Sequence, residues 1–162
     1  MIVQFEIVND YPPNILEIAK VFPDCMKPGV LFCWDRKIFN PAGIEIPDYL
    51  IAHENVHRHQ QAGCPIPWWE QYLVDPAFRL AQEVPAHQAE YEQYWKMFPN
   101  RNMRRVALHG MALRLSGPLY LNMISYAKAR ALNKDSTQEK INAYRNKNVA
   151  NSASSSAEVS IQ

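Results

Sequence analysis

The sequence predicts an α+β domain in which a short N-terminal β-sheet precedes a helical bundle. Strand-type alternation and a tight-turn signal are confined to the residues before Pro47, and from Pro47 onward apolar residues recur at helical spacing. Length agrees: 162 residues suffice for one domain that buries roughly 70% of its unfolded surface and are too few for two ordinary ones.

The elements follow in order. Ile2 to Val8 alternates apolar and polar residues and reads as a strand. Tyr11-Pro-Pro-Asn14 opens a short helix carrying Ile15, Leu16, Ile18, Ala19, Val21 and Phe22, which Pro23 and Pro28-Gly29 close. Val30 to Trp34 and Arg36 to Phe39 form two strands of a hairpin, with Asp35-Arg36 suited to its turn. After Asn40-Pro-Ala-Gly43, Ile44-Glu-Ile46 reads as a further strand fragment. A helix then runs from Pro47 to Gln61, with Leu50, Ile51 and Val56 expected to pack it down.

Gly63 to Pro67 is a loop, with Pro67 expected at the first position of the next helix, through Leu73. Asp75-Pro76 is an N-cap and first-turn proline for a helix to Met97, and Pro85 predicts a kink or restart within it. Further helices are expected from Asn102 to Leu115, Leu119 to Leu132 and, more weakly, Thr137 to Asn146. Trp68, Trp69, Tyr72, Tyr91, Tyr94 and Trp95 supply core area. Residues 1–147 read as one domain. Residues 148–162, with five serines and no aromatic residue, read as a disordered tail.

Charge divides the chain. Residues 1–100 carry 7 Lys/Arg against 13 Asp/Glu, and residues 101–162 carry 10 against 3, within a net charge of +1. Nothing global therefore demands a nucleic-acid or membrane partner. The odd set Cys25, Cys33 and Cys64, with no Cys-x-x-Cys pair, points to a reducing compartment. No secretory signal and no apolar stretch long enough to span a bilayer is read.

The chemistry concentrates at His53-Glu54-Asn55-Val56-His57, an H-E-x-x-H motif. A helix turns about 100° per residue, which brings two histidines four apart to within roughly 40° on one face. Both imidazoles can then ligate one metal ion, with Glu54 beside them as a base for a water. The plain alternative is two helix-surface histidines. His59 falls on the opposite side and reads as a surface residue.

A catalytic zinc site needs a third protein ligand. The version with glycine three and histidine six residues after the second histidine is excluded, because those positions hold Gln60 and Gly63. Asp75, Glu83, His87 and Glu90 are the downstream candidates. Asp75 is better explained as an N-cap, while Glu83, His87 and Glu90 share one face of their helix.

The stretch from Ala52 to Tyr91 resembles the small gluzincin-like metallopeptidases of tailed bacteriophages and related bacterial proteins. His53, Glu54, His57, Gln60-Gln61, Trp68-Trp69 and Glu83-Val-Pro-Ala86 carry the resemblance, which extends over roughly residues 30–125. It implies a minimal zincin-like domain, a bound Zn2+ and Glu83, 26 residues after His57, as third ligand. Pro85 stands where the family pattern has an acidic residue, and a kink there would turn His87 or Glu90 to the site instead.

The expectation is a zinc-dependent peptidase acting on a peptide or protein, with Glu54 as general base and His109 or Tyr120 as donors to the oxyanion. An edge strand near the active helix would be able to bind extended peptide. A monomer is expected, in the cytoplasm of the host or producing cell or associated with the virion. A non-catalytic structural or interaction protein that retains the scaffold is the alternative. That alternative extends to nucleic-acid binding through Arg101, Arg104, Arg105, Arg114, Lys128 and Arg130, a weaker reading because these residues are spread over two helices without a recognised motif.

Overall fold

The hairpin predicted around Asp35-Arg36 organises the sheet. Asp35 adopts a left-handed φ of 51°, which a short polar side chain tolerates better than most. The turn joins β2 (Phe32–Trp34) to β3 (Lys37–Phe39), antiparallel, with Phe32 opposite Phe39 and Trp34 opposite Lys37. A third strand, β1 (Glu6–Val8), pairs parallel with β3, giving the order β1-β3-β2 with both β1 and β2 at edges. The computed structural model describes residues 5–134.

Around this sheet lie α1 (Ile15–Val21), a 3-10 turn (Pro23–Met26), α2 (Asp48–Gln61), α3 (Pro65–Val74), α4 (Pro76–Met97), α5 (Arg101–Ser116), a 3-10 turn (Pro118–Tyr120) and α6, residues 126–134. The architecture is thus mostly helical with one small sheet, in keeping with an α+β class. Phe32, Phe39, Ile18, Phe22, Trp68, Trp69 and Tyr72 form the principal core cluster. A second cluster of Ala112, Leu115 and Ala129 joins α5 to α6. The predicted core role of Trp68, Trp69 and Tyr72 therefore holds, whereas Tyr91, Tyr94 and Trp95 are only half-buried. Cys25, Cys33 and Cys64 are all free. Among the described residues no helix is long and apolar enough to cross a membrane.

Two contacts seat α2 for its task. Its last residue, Gln61, is 2% exposed and clamps the hairpin: Nε2 donates to the Cys33 carbonyl at 2.9 Å, and Oε1 accepts from the Asp35 amide at 2.7 Å. Trp69 of α3 also donates to the Cys33 carbonyl, at 3.1 Å. The long side of α2 lies chiefly against α4.

Several expectations need correction. Ile44 to Ile46 is irregular rather than a strand, with the Ile44 carbonyl accepting from the Asn40 side chain. The third helix begins at Pro65, so both Pro65 and Pro67 occupy its first turn, where missing N–H groups cost nothing. Pro85 does not interrupt α4. Ala81, whose carbonyl loses its partner, and Pro85 both lie on the exposed face, where water can satisfy that carbonyl, and the buried face runs on unbroken. The helix expected from Leu119 starts at residue 126, because Leu121 and Asn122 take left-handed φ values of 58° and 51° after the 3-10 turn. The expected helix at Thr137–Asn146 and the tail at 148–162 lie outside the described residues.

Candidate metal centre

The buried residues of α2 are His53, Glu54, His57 and Gln61, whereas Leu50, Ile51 and Val56 are only half-buried. The histidine face lines a cleft, as expected, but it is also the buried face of α2, and the expected packing residues are not part of it. Such a face is stable only if the neighbouring element brings polar partners. The buried face of α4 does so with Arg79, Glu83, His87 and Glu90. Asp75 starts that helix as expected, its carboxylate accepting from the amides of Ala77 and Phe78 at 2.9 and 3.1 Å.

At the centre, His53 Nε2 and His57 Nε2 are 3.1 Å apart. Glu83 approaches both, with Oε1 3.3 Å from His57 Nε2 and Oε2 3.6 Å from His53 Nε2. The other nitrogen of each imidazole is already engaged. His53 Nδ1 meets Glu90 Oε2 at 3.0 Å, and His57 Nδ1 meets Gln60 Oε1 at 2.9 Å. Gln60 in turn donates through Nε2 to the Gln82 carbonyl at 3.0 Å, which turns its acceptor oxygen to His57. Both Nδ1 atoms are therefore the N–H donors, and both Nε2 atoms present lone pairs to one another and to a carboxylate.

Glu83 is 2% exposed. Its Oε1 accepts from the Tyr72 hydroxyl at 2.6 Å, while Oε2 is buried without a hydrogen-bond partner among the described residues. With both imidazoles neutral, three acceptors would converge on one point, so a cation, either a proton or a metal ion, belongs there. His53, His57 and Glu83 form a buried cluster able to hold a metal ion.

The electrostatics of the metal-free site express the same demand for a cation. Burial pulls the His57 imidazole down, but the charge and hydrogen bonding of Glu83 outweigh it and lift the group to about 9. Against its own burial, Glu83 is held well below the usual carboxylate range by His57, His53 and His87. Burial raises the Glu54 carboxyl above its usual range, against the pull of His53 and His57. Glu54 takes no hydrogen bond among the described residues and faces the cleft.

His87 and Glu90 do not point at the central position. His87 Nδ1 donates to the Glu83 carbonyl at 2.9 Å and Nε2 accepts from Arg114 Nε at 3.4 Å, so the neutral ring is satisfied on both sides. Burial, with His53 and Arg114 nearby, lowers it to about 3. Glu90 shares its carboxylate between His53 and Arg114. A second triad of His53, His87 and Glu90 has the composition of a metal site, but these hydrogen bonds already account for it.

Of the expected oxyanion donors, Tyr120 lines the cleft with Glu54 and Glu83, and burial together with the Glu83 charge pushes its phenol well above the ordinary value. His109 is a correction: it is exposed, and its Nδ1 is bonded to the Tyr126 hydroxyl at 2.6 Å, away from the cleft. His59 is exposed as expected. Sequence reasoning missed Gln60, Tyr72 and Arg114 as parts of the site. Gln60 lies three residues after His57 on one helix, a spacing that could have flagged it; Tyr72 and Arg114 reach the site only through tertiary packing.

The cleft has two chambers. One of about 80 Å³ is walled by Ile18, Phe22, Phe32 and Trp68 and opens onto His53, Glu54, His57 and Glu83. The other, about 280 Å³, extends from His53 and Glu54 to Glu90 and Arg114, with Leu31, Leu119 and Tyr120 bordering both. The edge strand β2 runs beside α2, although its Cys33 carbonyl is already taken by Gln61 and Trp69. No protein-family model, curated protein sequence or solved structure matches the chain.

Proposed function

We propose that the chain is a zinc-dependent metallohydrolase of zincin-like build, a peptidase that cleaves an amide bond within a phage-infected cell or in the virion. The observation that carries this reading is the convergence of two imidazole Nε2 atoms and the Glu83 carboxylate on a single buried point. A tetrahedral zinc ion with bonds of about 2.0–2.1 Å holds its ligands roughly 3.4 Å apart. The separations of 3.1, 3.3 and 3.6 Å bracket that value.

His53, His57 and Glu83 would hold the ion, which when bound supplies Lewis acidity toward water and a carbonyl oxygen. Glu54, buried beside both histidines, accepts a proton from the attacking water. It then delivers that proton to the leaving amine nitrogen. Burial raises its carboxyl above the usual range, which makes it a stronger base toward that water. The Tyr120 phenol, kept protonated by burial and by the charge and hydrogen bonding of Glu83, would donate to oxygen charge in the cleft by exchanging Glu83 for that oxygen. The apolar side chains of Ile18, Phe22, Phe32 and Trp68 wall the smaller chamber beside the reacting atoms.

A nucleic-acid role draws little support from the basic residues. Arg104 donates to the Phe98 and Pro99 carbonyls and stacks on Trp95, and Arg114 is spent inside the metal network.

The test is hydrolysis of a fluorogenic peptide library by zinc-loaded protein and by Glu54→Gln. Cleavage by the wild type, lost in a variant that still binds one zinc, is the expected result. Cleavage that survives Glu54→Gln would refute the mechanism, and zinc binding with no cleavage would favour a non-catalytic scaffold.

A further inference from the structure

We propose that Arg114 is a positioning residue of the metal centre and acts on it through Glu90 and His53. The inference rests on the metal-site reading above. Arg114 lies near the end of α5, an element that contributes no ligand. Its Nη2 donates to both carboxylate oxygens of Glu90, at 2.6 and 2.5 Å. Glu90 then accepts from His53 Nδ1 at 3.0 Å, which fixes the tautomer and aims Nε2 at the central point. Through Nε the same guanidinium meets His87, whose other nitrogen grips the main-chain carbonyl of Glu83. One side chain thus braces two of the three residues that would hold the ion.

The chemistry of the group matters as much as its charge. Glu90 is 1% exposed, and a buried carboxylate without a cation is strongly unfavourable. A guanidinium offers rigid, planar donors that serve Glu90 and His87 at once, whereas an ammonium is a single point. Arg114 itself retains 35% side-chain exposure and borders the larger chamber, so its replacement reaches the site from the solvent side without opening the main core.

The experiment is a zinc competition titration with a chromogenic chelator on wild type, Arg114→Ala, Arg114→Lys, Glu90→Gln and the double variant Arg114→Ala/Glu90→Gln. Urea unfolding of each metal-free protein runs alongside. Arg114→Ala should weaken zinc binding by about 10- to 100-fold, and Arg114→Lys should recover part of the loss. Because Arg114 acts through Glu90, the double variant should lose less than the product of the two single losses. Should Arg114→Ala fail to fold, the near-isosteric Glu90→Gln and Arg114→Lys decide the matter by showing reduced affinity in folded protein. Wild-type affinity in the folded Arg114 variants, or losses that multiply in the double variant, would overturn the inference alone. A wild type that binds no zinc overturns the metal-site reading and this inference with it.

Discussion

His53 and His57 face each other through Nε2 at 3.1 Å while the Nδ1 atom of each already donates to Glu90 or Gln60. Two lone pairs at that distance beside Glu83 require a positive charge between them. In the metal-free protein a proton fills the role: the charge and hydrogen bonding of Glu83 overcome burial and lift His57 to about 9.

A metal must displace that proton, and the sign of the pH effect follows. Below about 9 the His57 proton is present and competes, so zinc affinity should fall about tenfold for each unit of acidification between pH 8.5 and 6.5. Competition titrations across that range measure the slope. Affinity independent of pH there would show that no such proton is displaced.

Replacing Tyr72 with Phe removes the 2.6 Å hydrogen bond that its hydroxyl donates to the buried Glu83 Oε1. The ring stacked on Trp68 remains. The metal-free variant should lose about 1–3 kcal/mol in urea unfolding, and zinc binding should weaken as well. Unchanged unfolding would mean that the Tyr72 hydroxyl does not support the ligand.

Acid should destabilise the metal-free protein, starting unusually early. His87 is held neutral to about 3 against an ordinary 6.5, so the unfolded chain takes up a proton that the folded one refuses. Its contribution is complete above 6.5 and is lost as the pH falls toward 3. Glu90, lowered by Arg114 to about 2 from an ordinary 4.5, adds a second loss between those values. His57 has the opposite sign: its contribution is present below 6.5 and fades as the pH rises through about 9. The urea midpoint should therefore decline on both sides of roughly pH 6.5–7. A flat midpoint from pH 6.5 to 4 would contradict the buried network.

What the sequence disclosed was the local part of this site. The helix period alone put His53, Glu54 and His57 together, and the spacing of Glu83, His87 and Glu90 gave them one face of α4. Asp75 and the Asp35-Arg36 turn were legible because caps and turns depend on neighbouring residues. The deep burial of the histidine face was not. Leu50, Ile51 and Val56 look like a core stripe, and only the polar face of α4 makes it favourable to bury the histidines instead. The parallel pairing of β1 with β3, and the reach of Arg114 to Glu90 across 24 residues, are tertiary facts without a local signature. Pro85 misled for the converse reason: a helix breaker is tolerated where the orphaned carbonyl faces water.

The most direct test of the central claim is zinc content per chain, measured by elemental analysis on wild type and Glu83→Ala purified side by side. The arrangement of His53, His57 and Glu83 predicts one zinc per wild-type chain and its loss in the variant. A wild type that takes up no zinc even when the metal is added back, or a variant that keeps it, would contradict the site.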